Sequence, residues 1–359
     1  MADVYNELRS FLDTIPNGFP ESENGVEIKI LKKIFNEEEA ALFMKLRFTF
    51  ETPEQIASRT GLELEYIKRM LPVMKNKGQL VGISKQEFSM YRIYPFVFGI
   101  YEFQGPTMDK EFAELSEEYM DSTMAKEFFS KGPAIMKSIP IGIEVKDDST
   151  IEPYESVASL IEGAKAWAVR DCICKKEKAL LGKKCDRPME VCMSFAPVPG
   201  VFDNDETCRA ITKEEAYAIL KMSEEVGLVH MTSNYKTGHF YICNCCKCCC
   251  GPLTKYIAVS KNAVAKSSYI AVVDKDLCIS CGGCLDRCQA DAIKMDENDQ
   301  AEITDCIGCG LCVSTCPVDA ISLKRREKDD IPEVPANERE WLKLRAKERG
   351  MNDDYKKML

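Results

Sequence analysis

Nineteen cysteines stand among 359 residues, all of them between positions 172 and 316. Cys278, Cys281, Cys284 and Cys288 follow the spacing C-x2-C-x2-C-x3-C, and Cys306, Cys309, Cys312 and Cys316 repeat it, with Pro317 next. Three thiolates on one tight loop can cap three irons of an iron–sulfide cube, and the fourth iron must then take its sulfur from elsewhere. Two structural zinc sites would also use four thiolates each, but tetrahedral zinc does not call for this spacing. Disulfide frameworks belong to small secreted domains, so metal binding is the better reading of so many thiols in a long chain.

The paired motif is the signature of bacterial-type ferredoxins, and residues from about 268 to 324 resemble the two-[4Fe-4S] domain of that family. The resemblance implies single-electron transfer and a crossed ligand pattern. Cys278, Cys281, Cys284 and Cys316 would hold one cluster, and Cys306, Cys309, Cys312 and Cys288 the other, so that metal binding stabilises one folding unit. The flanks repeat as well: QADAIKM at 289–295 matches PVDAISL at 317–323, and each half reads as strand, cluster loop, short helix and strand. Gly282, Gly283, Gly308 and Gly310 let the backbone turn its N–H groups toward the sulfurs. Gln289 replaces the family's proline after the fourth cysteine, and its N–H predicts a somewhat higher potential for the cluster bound through Cys288.

Eleven cysteines remain: Cys172, Cys174, Cys185, Cys192, Cys208, and the six of the octapeptide CNCCKCCC, namely Cys243, Cys245, Cys246, Cys248, Cys249 and Cys250. Six thiols in eight residues cannot all point into a core from a regular backbone. Three metal readings stay open. One or two further [4Fe-4S] clusters would draw on both thiol-rich stretches. Structural zinc could use Cys172, Cys174, Cys185 and Cys192. A soft-metal thiolate site or a larger iron–sulfur centre is the third. Co-occurrence with the paired motif favours iron. Arg170, Lys175, Lys176, Lys183, Lys184, Arg187 and Lys247 would offset thiolate charge or form a solvated basic face. His230 and His239, the two histidines, read as structural, and the isolated Cys208 as a non-ligand. This stretch resembles multi-cluster ferredoxin-like proteins of anaerobes, a resemblance that carries no named activity.

The elements that must position these groups divide the chain at its cysteines. Residues 37–95 read as an amphipathic helix EEEAALFMKLRF, a helix capped by Thr52 with Pro53 at its first position, a turn at Gly61, a second helix, and a hairpin of QLVGIS and FSMYRIY. That order resembles a winged helix-turn-helix domain. From Pro106 to about Ile141 the chain reads as helical, with Phe112, Leu115, Tyr119 and Met120 on one stripe, for packing or dimerisation. PIGIEV and the KDDST turn lead into alternating strands and helices, including WAVRDC, a helix capped by Thr212, and GHFYIC. The tail forms a helix capped by Asn337 with Glu340 three residues on, anchored by Trp341 and Leu342. The expected fold class is α+β. It comprises a winged-helix-like domain (1–105), a helical connector (106–150), a cysteine-rich α/β domain (151–257), a ferredoxin domain (258–324) and a charged helical tail (325–359).

Composition narrows the function classes. Hydrophobic residues at 45% and charged residues at 30% fit a globular chain, and the longest apolar run, Tyr94–Tyr101, is far too short to span a membrane. The N-terminus lacks a basic stretch followed by an apolar one, so the cytoplasm is the expected compartment. A net charge of −10 repels polyphosphate backbones. Residues 37–95 hold nine basic and eight acidic side chains, and Glu63 and Glu65 open the helix that would meet base edges, so DNA is not an expected partner. Lys68, Arg69, Lys75, Lys77 and Arg92 are the candidate phosphate contacts. No G-x-x-x-x-G-K-[ST] or G-x-G-x-x-G loop occurs, which leaves nucleotides and flavins unsupported. The preferred expectation is the electron-relay subunit of an anaerobic oxidoreductase, partnered by a catalytic subunit, with homodimerisation allowed for. The alternatives are a redox-sensing transcription regulator and a reductive activase for another metalloprotein.

Overall fold

The computed structural model describes residues 3–85, 88–141, 152–183, 185–352 and 355–356. The KDDST turn and most of PIGIEV lie outside the described residues.

Among the described residues, the N-terminal half carries α1 (Val4–Asp13), α2 (Val26–Ile34), α3 (Glu37–Phe43), α4 (Pro53–Thr60), α5 (Leu64–Asn76), a hairpin of β1 (Val81–Lys85) and β2 (Phe88–Arg92), the single-turn α6 (Tyr101–Phe103) and α7 (Lys110–Tyr119). Local chemistry sets their ends. Asn36 with Glu39 and Thr52 with Gln55 form capping boxes, and Gly61 closes α4 at φ 72°. Leu8, Ile30, Phe43, Ile67 and Met74 bury the inward faces of these helices in one core. The helix expected through Phe48 stops earlier, at Phe43. Beyond it the Arg47 carbonyl accepts the N–H of Ile93 at 2.9 Å and Glu51 bridges to Tyr91, so the chain runs alongside β2.

After α7 the helix continues with wider, π-type winding from Met120 to Phe129 and ends there, not near Ile141. Gly132 and Pro133 break it, since proline lacks an N–H and disfavours helix before it. Residues Met136–Ser138 are instead a strand, β3, which pairs antiparallel with a strand ninety-odd residues later.

The cysteine-rich part is α8 (Val157–Glu162), β4 (Ala166–Asp171), α9 (Ile173–Leu180), β5 (Glu190–Ala196), β6 (Arg209–Ile211), α10 (Lys213–Glu225), β7 (Val229–Ser233), β8 (Tyr241–Cys245) and α11 (Gly251–Ala258). With β3 these strands make a six-stranded sheet in the order β3-β7-β8-β5-β4-β6, and every ladder in it is antiparallel. Thr212 caps α10 as expected, and α10 covers one face of the sheet through Ala216, Ile219 and Leu220.

Next come β9 (Tyr269–Val273), α12 (Gly283–Arg287), β10 (Ile293–Met295), β11 (Ala301–Ile303) and β12 (Ile321–Arg325), with β9 paired to β12 and β10 to β11. Helix α13 (Glu338–Glu348), capped by Asn337, returns to the chain's own body. Trp341 Nε1 donates to the Ala134 carbonyl at 2.9 Å, Arg345 Nη2 to that of Phe128 at 2.6 Å, and Arg349 pairs with Asp13 at 2.7 Å. The mixed architecture is α+β.

Candidate metal centres

The two cysteine motifs approach each other, with Cys316 near Cys284 and Cys288 near Cys309 and Cys312. Burial pushes the Cys284 thiol up, and the thiols that add to this are Cys281, Cys278 and Cys316. Burial likewise raises Cys312, with Cys309, Cys306 and Cys288 acting on it ahead of Cys284, while Cys309 is pushed up to about 12. Backbone amides point at the sulfurs: Ala292 N–H donates to Cys288 at 3.3 Å, Ala320 to Cys316 at 3.2 Å and Gly308 to Cys306 at 3.3 Å. The N–H groups of Ala301 and Ser280 pull Cys278 down. Fours of soft thiol donors with amide dipoles aimed at them fit thiolate-bound iron–sulfur clusters.

The octapeptide divides into two thiol groups. Cys246, Cys248 and Cys249 join Cys185, and the four sulfurs lie within 4.8 Å of one another. Cys248 approaches Cys246 at 3.3 Å and Cys249 at 3.7 Å. Four sulfurs about 2.3 Å from one tetrahedral ion sit about 3.8 Å apart, so this spacing fits a single ion rather than a cube. No other group among the described residues is as tight. A hydrogen bond from Cys249 lowers Cys246 to about 5, and Arg187 Nη1 donates to Cys248 at 3.7 Å.

Six of the remaining seven thiols form a ring. Cys172 interacts with Cys174 and Cys192, Cys243 with Cys192 and Cys245, Cys245 adjoins Cys250, and Cys250 acts on Cys174 to close the circle. Thiolate character therefore gathers on Cys172, held well below its usual range, and on Cys243, lowered to about 5. The sheet explains the placement. The register of Met193 with Ile242 sets Cys192 opposite Cys243, and alternation along β8 aims Cys243 and Cys245 to one side and Ile242 to the core under α10. Cys172 and Cys250 occupy the N-cap positions of α9 and α11. Cys185 is not among these six, but Cys172, Cys174, Cys185 and Cys192 pack with Cys246 and Cys249 in one cluster, so the two thiol groups adjoin.

The ring lines a cavity of about 730 Å³, whose far wall comes from the N-terminal half through Ile83, Phe98, Tyr101, Glu102 and Phe103. Phe98 turns at φ 60°, and Gly99 N–H donates to Glu102 Oε2 at 2.8 Å. Burial first, with Cys243 contributing, raises the Glu102 carboxyl to about 8. These wall residues carry no sequence signal beyond an apolar run ending in an acid.

Residues 271–323 match the model of the family described as a 4Fe-4S dicluster domain. They form a ferredoxin-type 4Fe-4S domain. No curated protein and no solved structure matched the chain. The dicluster domain touches the octapeptide directly. Gln289, 1% exposed, accepts the Lys247 N–H at Oε1 at 3.0 Å and donates to the Arg287 carbonyl at 3.2 Å, while Lys247 Nζ meets Asp291 at 2.5 Å. Arg287 Nη1 donates to the Glu225 carbonyl at 2.9 Å, and the Arg287 side chain feels both Cys309 and Arg187. The side chains of Gln289, which the sequence reading left out, and of Asp291 thus join the dicluster domain to the octapeptide.

Cys208 stands apart. Its neighbours are Arg170, Asp205 and Thr207, and burial raises it to about 11. His230 is buried between Asn244 at 2.6 Å and Glu224 at 3.2 Å, a satisfied structural histidine. His239 meets Thr232 Oγ1 at 3.2 Å. The basic residues are mostly engaged: Lys175 with the Pro188 carbonyl at 2.7 Å, Lys176 with that of Gly105, and Lys183 with Glu117 at 2.9 Å. Lys184 lies outside the described residues. Among the described residues no helix is long and apolar enough to cross a membrane.

Proposed function

We propose that this iron–sulfur electron-transfer protein passes electrons from its dicluster domain into the cysteine-rich half, and that it works as the relay subunit of a cytoplasmic anaerobic oxidoreductase complex. Cys278, Cys281, Cys284 and Cys316 would hold one [4Fe-4S] cluster, and Cys306, Cys309, Cys312 and Cys288 the second. When bound, the clusters supply one-electron carriers whose potentials answer to sulfur hydrogen bonds and exposure. The ring of six thiols would hold a further iron–sulfur centre, and Cys185, Cys246, Cys248 and Cys249 a single tetrahedral ion. The observation that carries this reading is the Gln289–Lys247 junction, which sets the Cys288 end of the dicluster domain against the octapeptide.

A DNA-reading role draws no support from the helical half. Arg92 is buried against Glu338 at 3.2 Å and Tyr94, Lys75 pairs with Asp205 at 3.8 Å, Lys77 with Glu39 at 2.5 Å, and Lys68 with Glu54 at 3.0 Å. Strand β1, the first strand of the wing, faces the thiol cavity. The winged-helix-like unit is therefore read as a scaffold that closes the cysteine-rich domain.

Iron, sulfide and zinc analysis with EPR on anaerobically purified protein tests the proposal. The dicluster pair alone accounts for about eight irons per chain, so a clear excess of iron and sulfide is expected. Iron that stops at about eight, or specific gel-shift binding to the gene's own upstream region, would overturn it.

A further inference from the structure

We propose that the cavity facing the six-thiol ring binds a small, uncharged, largely apolar molecule that reaches the metal held by the ring. The inference rests on the reading of that ring as an iron–sulfur centre and adds an exogenous ligand to it.

The placement of the sulfurs is the first ground. All six cysteines of the ring line one cavity. A centre built on that set has one side on protein and the other on the cavity. The cavity, at about 730 Å³, is in the range of small-molecule sites, and iron and sulfide would fill only the part nearest the sulfurs.

The character of the far wall sets the ligand class. Phe98 lies over Tyr241 at 6.4 Å between ring centres, and Tyr94 is stacked between Phe103 at 6.1 Å and Phe240 at 5.7 Å. Several charges around the space are paired within the chain: Arg92 with Glu338, Lys75 with Asp205, Lys178 with Glu117. Arg170 lies over Phe103 at 4.7 Å and acts on Cys243, so its charge faces the thiolates. The aromatic wall suits an uncharged, apolar body. Three buried polar atoms of the lining have no hydrogen-bond partner among the described residues: Oη of Tyr241, Nε of Arg92 and Nε2 of His239, whose Nδ1 is engaged by Thr232. The wall itself is specially built, since Phe98 holds a left-handed conformation that side chains seldom adopt.

The probe is tert-butyl isocyanide, an uncharged molecule with an apolar body and one iron-binding carbon, labelled with 13C at that carbon. Added to anaerobic, dithionite-reduced full-length protein, it should give saturable 13C hyperfine coupling on one EPR signal distinct from those of the dicluster domain. Cys192→Ser and Cys245→Ser should each abolish that signal while the dicluster signals persist. Phe98→Trp should raise the half-saturating concentration about tenfold, the scale of forcing an extra ring into an enclosed space, with metal content unchanged. Phe98→Leu, which opens the same space, should bind at least as well as wild type. Coupling confined to the dicluster signals, no coupling, or unchanged affinity in Phe98→Trp overturns the ligand site alone. Iron that stops at the dicluster complement overturns this inference together with the reading it rests on.

Discussion

Gln289 Oε1 accepts the backbone N–H of Lys247 at 3.0 Å, and this bond ties the residue after a ferredoxin-type fourth cysteine to the centre of CNCCKCCC. Two thiol systems far apart in sequence are therefore held at a fixed separation by one buried side chain, with Arg287 and Asp291 on either side of it.

Gln289→Ala should leave the Lys247 N–H without its acceptor at a cost of about 1 kcal/mol. It should also slow reduction of the cysteine-rich centre relative to the dicluster domain, as followed by freeze-quench EPR after mixing with dithionite. Gln289→Pro removes the backbone N–H as well and should lower the midpoint of the Cys288 cluster. Identical filling rates in Gln289→Ala would remove the junction from the electron path, and unmoved midpoints in Gln289→Pro would remove the potential effect.

Gly308 and Ser280 occupy equivalent places in the two cluster loops, and both lie at positive φ, 75° and 58°. Only Gly308 is hemmed in: a Cβ there would meet Ser267 Oγ at 2.1 Å and the Tyr269 carbonyl at 2.2 Å. Gly308→Ala should therefore destabilise the domain by about 1–3 kcal/mol and reduce its iron, read from metal analysis and the cluster absorbance. Ser280→Ala, at an exposed position, should keep full iron. Equal iron in both variants would show that the loop can yield at Gly308.

Local signals in the sequence led to much of this architecture. The two cysteine motifs, the caps Thr52, Thr212 and Asn337, and the β1–β2 hairpin depend on residues a few positions apart, and they stand where expected. Distant pairings were not legible. Strand β3 sits in a stretch with a helical stripe because β7 supplies its ladder. The octapeptide sorts into two thiol groups because β8 ends at Cys245, so alternation governs Cys243 and Cys245 while a turn redirects the next thiols to Cys185. The cavity wall was hidden for the opposite reason. Phe96 to Tyr101 has the composition of an ordinary apolar run, and only tertiary placement gives Phe98 and Glu102 a role.

His239 should make stability pH-dependent. Burial first, and then Lys137, hold its imidazole down at about 4, against 6.5 in the unfolded chain. Between those values the unfolded chain binds a proton that the folded chain does not, so stability is complete above about pH 6.5 and falls as pH drops toward 4. The loss at pH 5 is about 2 kcal/mol. His239→Gln, which does not titrate, should lose that much less between pH 7 and pH 5 in anaerobic denaturant unfolding. Equal losses in the two proteins would mean that the folded state tolerates a charged His239.

Cys248 is the exposed member of the tight four-sulfur group, so its replacement tests the chemistry there with little cost in packing. Sulfurs 3.3 and 3.7 Å apart suit one ion, whereas a cube spreads its terminal thiolates over separate irons. Cys248→Ser should therefore release one metal ion per chain, zinc or iron, with acid-labile sulfide unchanged and the dicluster EPR signals intact. Loss of several irons together with sulfide would place a cluster at Cys185, Cys246, Cys248 and Cys249 instead. In that case the octapeptide would continue the electron path directly from the Cys288 end of the dicluster domain, and the six-thiol ring would be the centre beyond it.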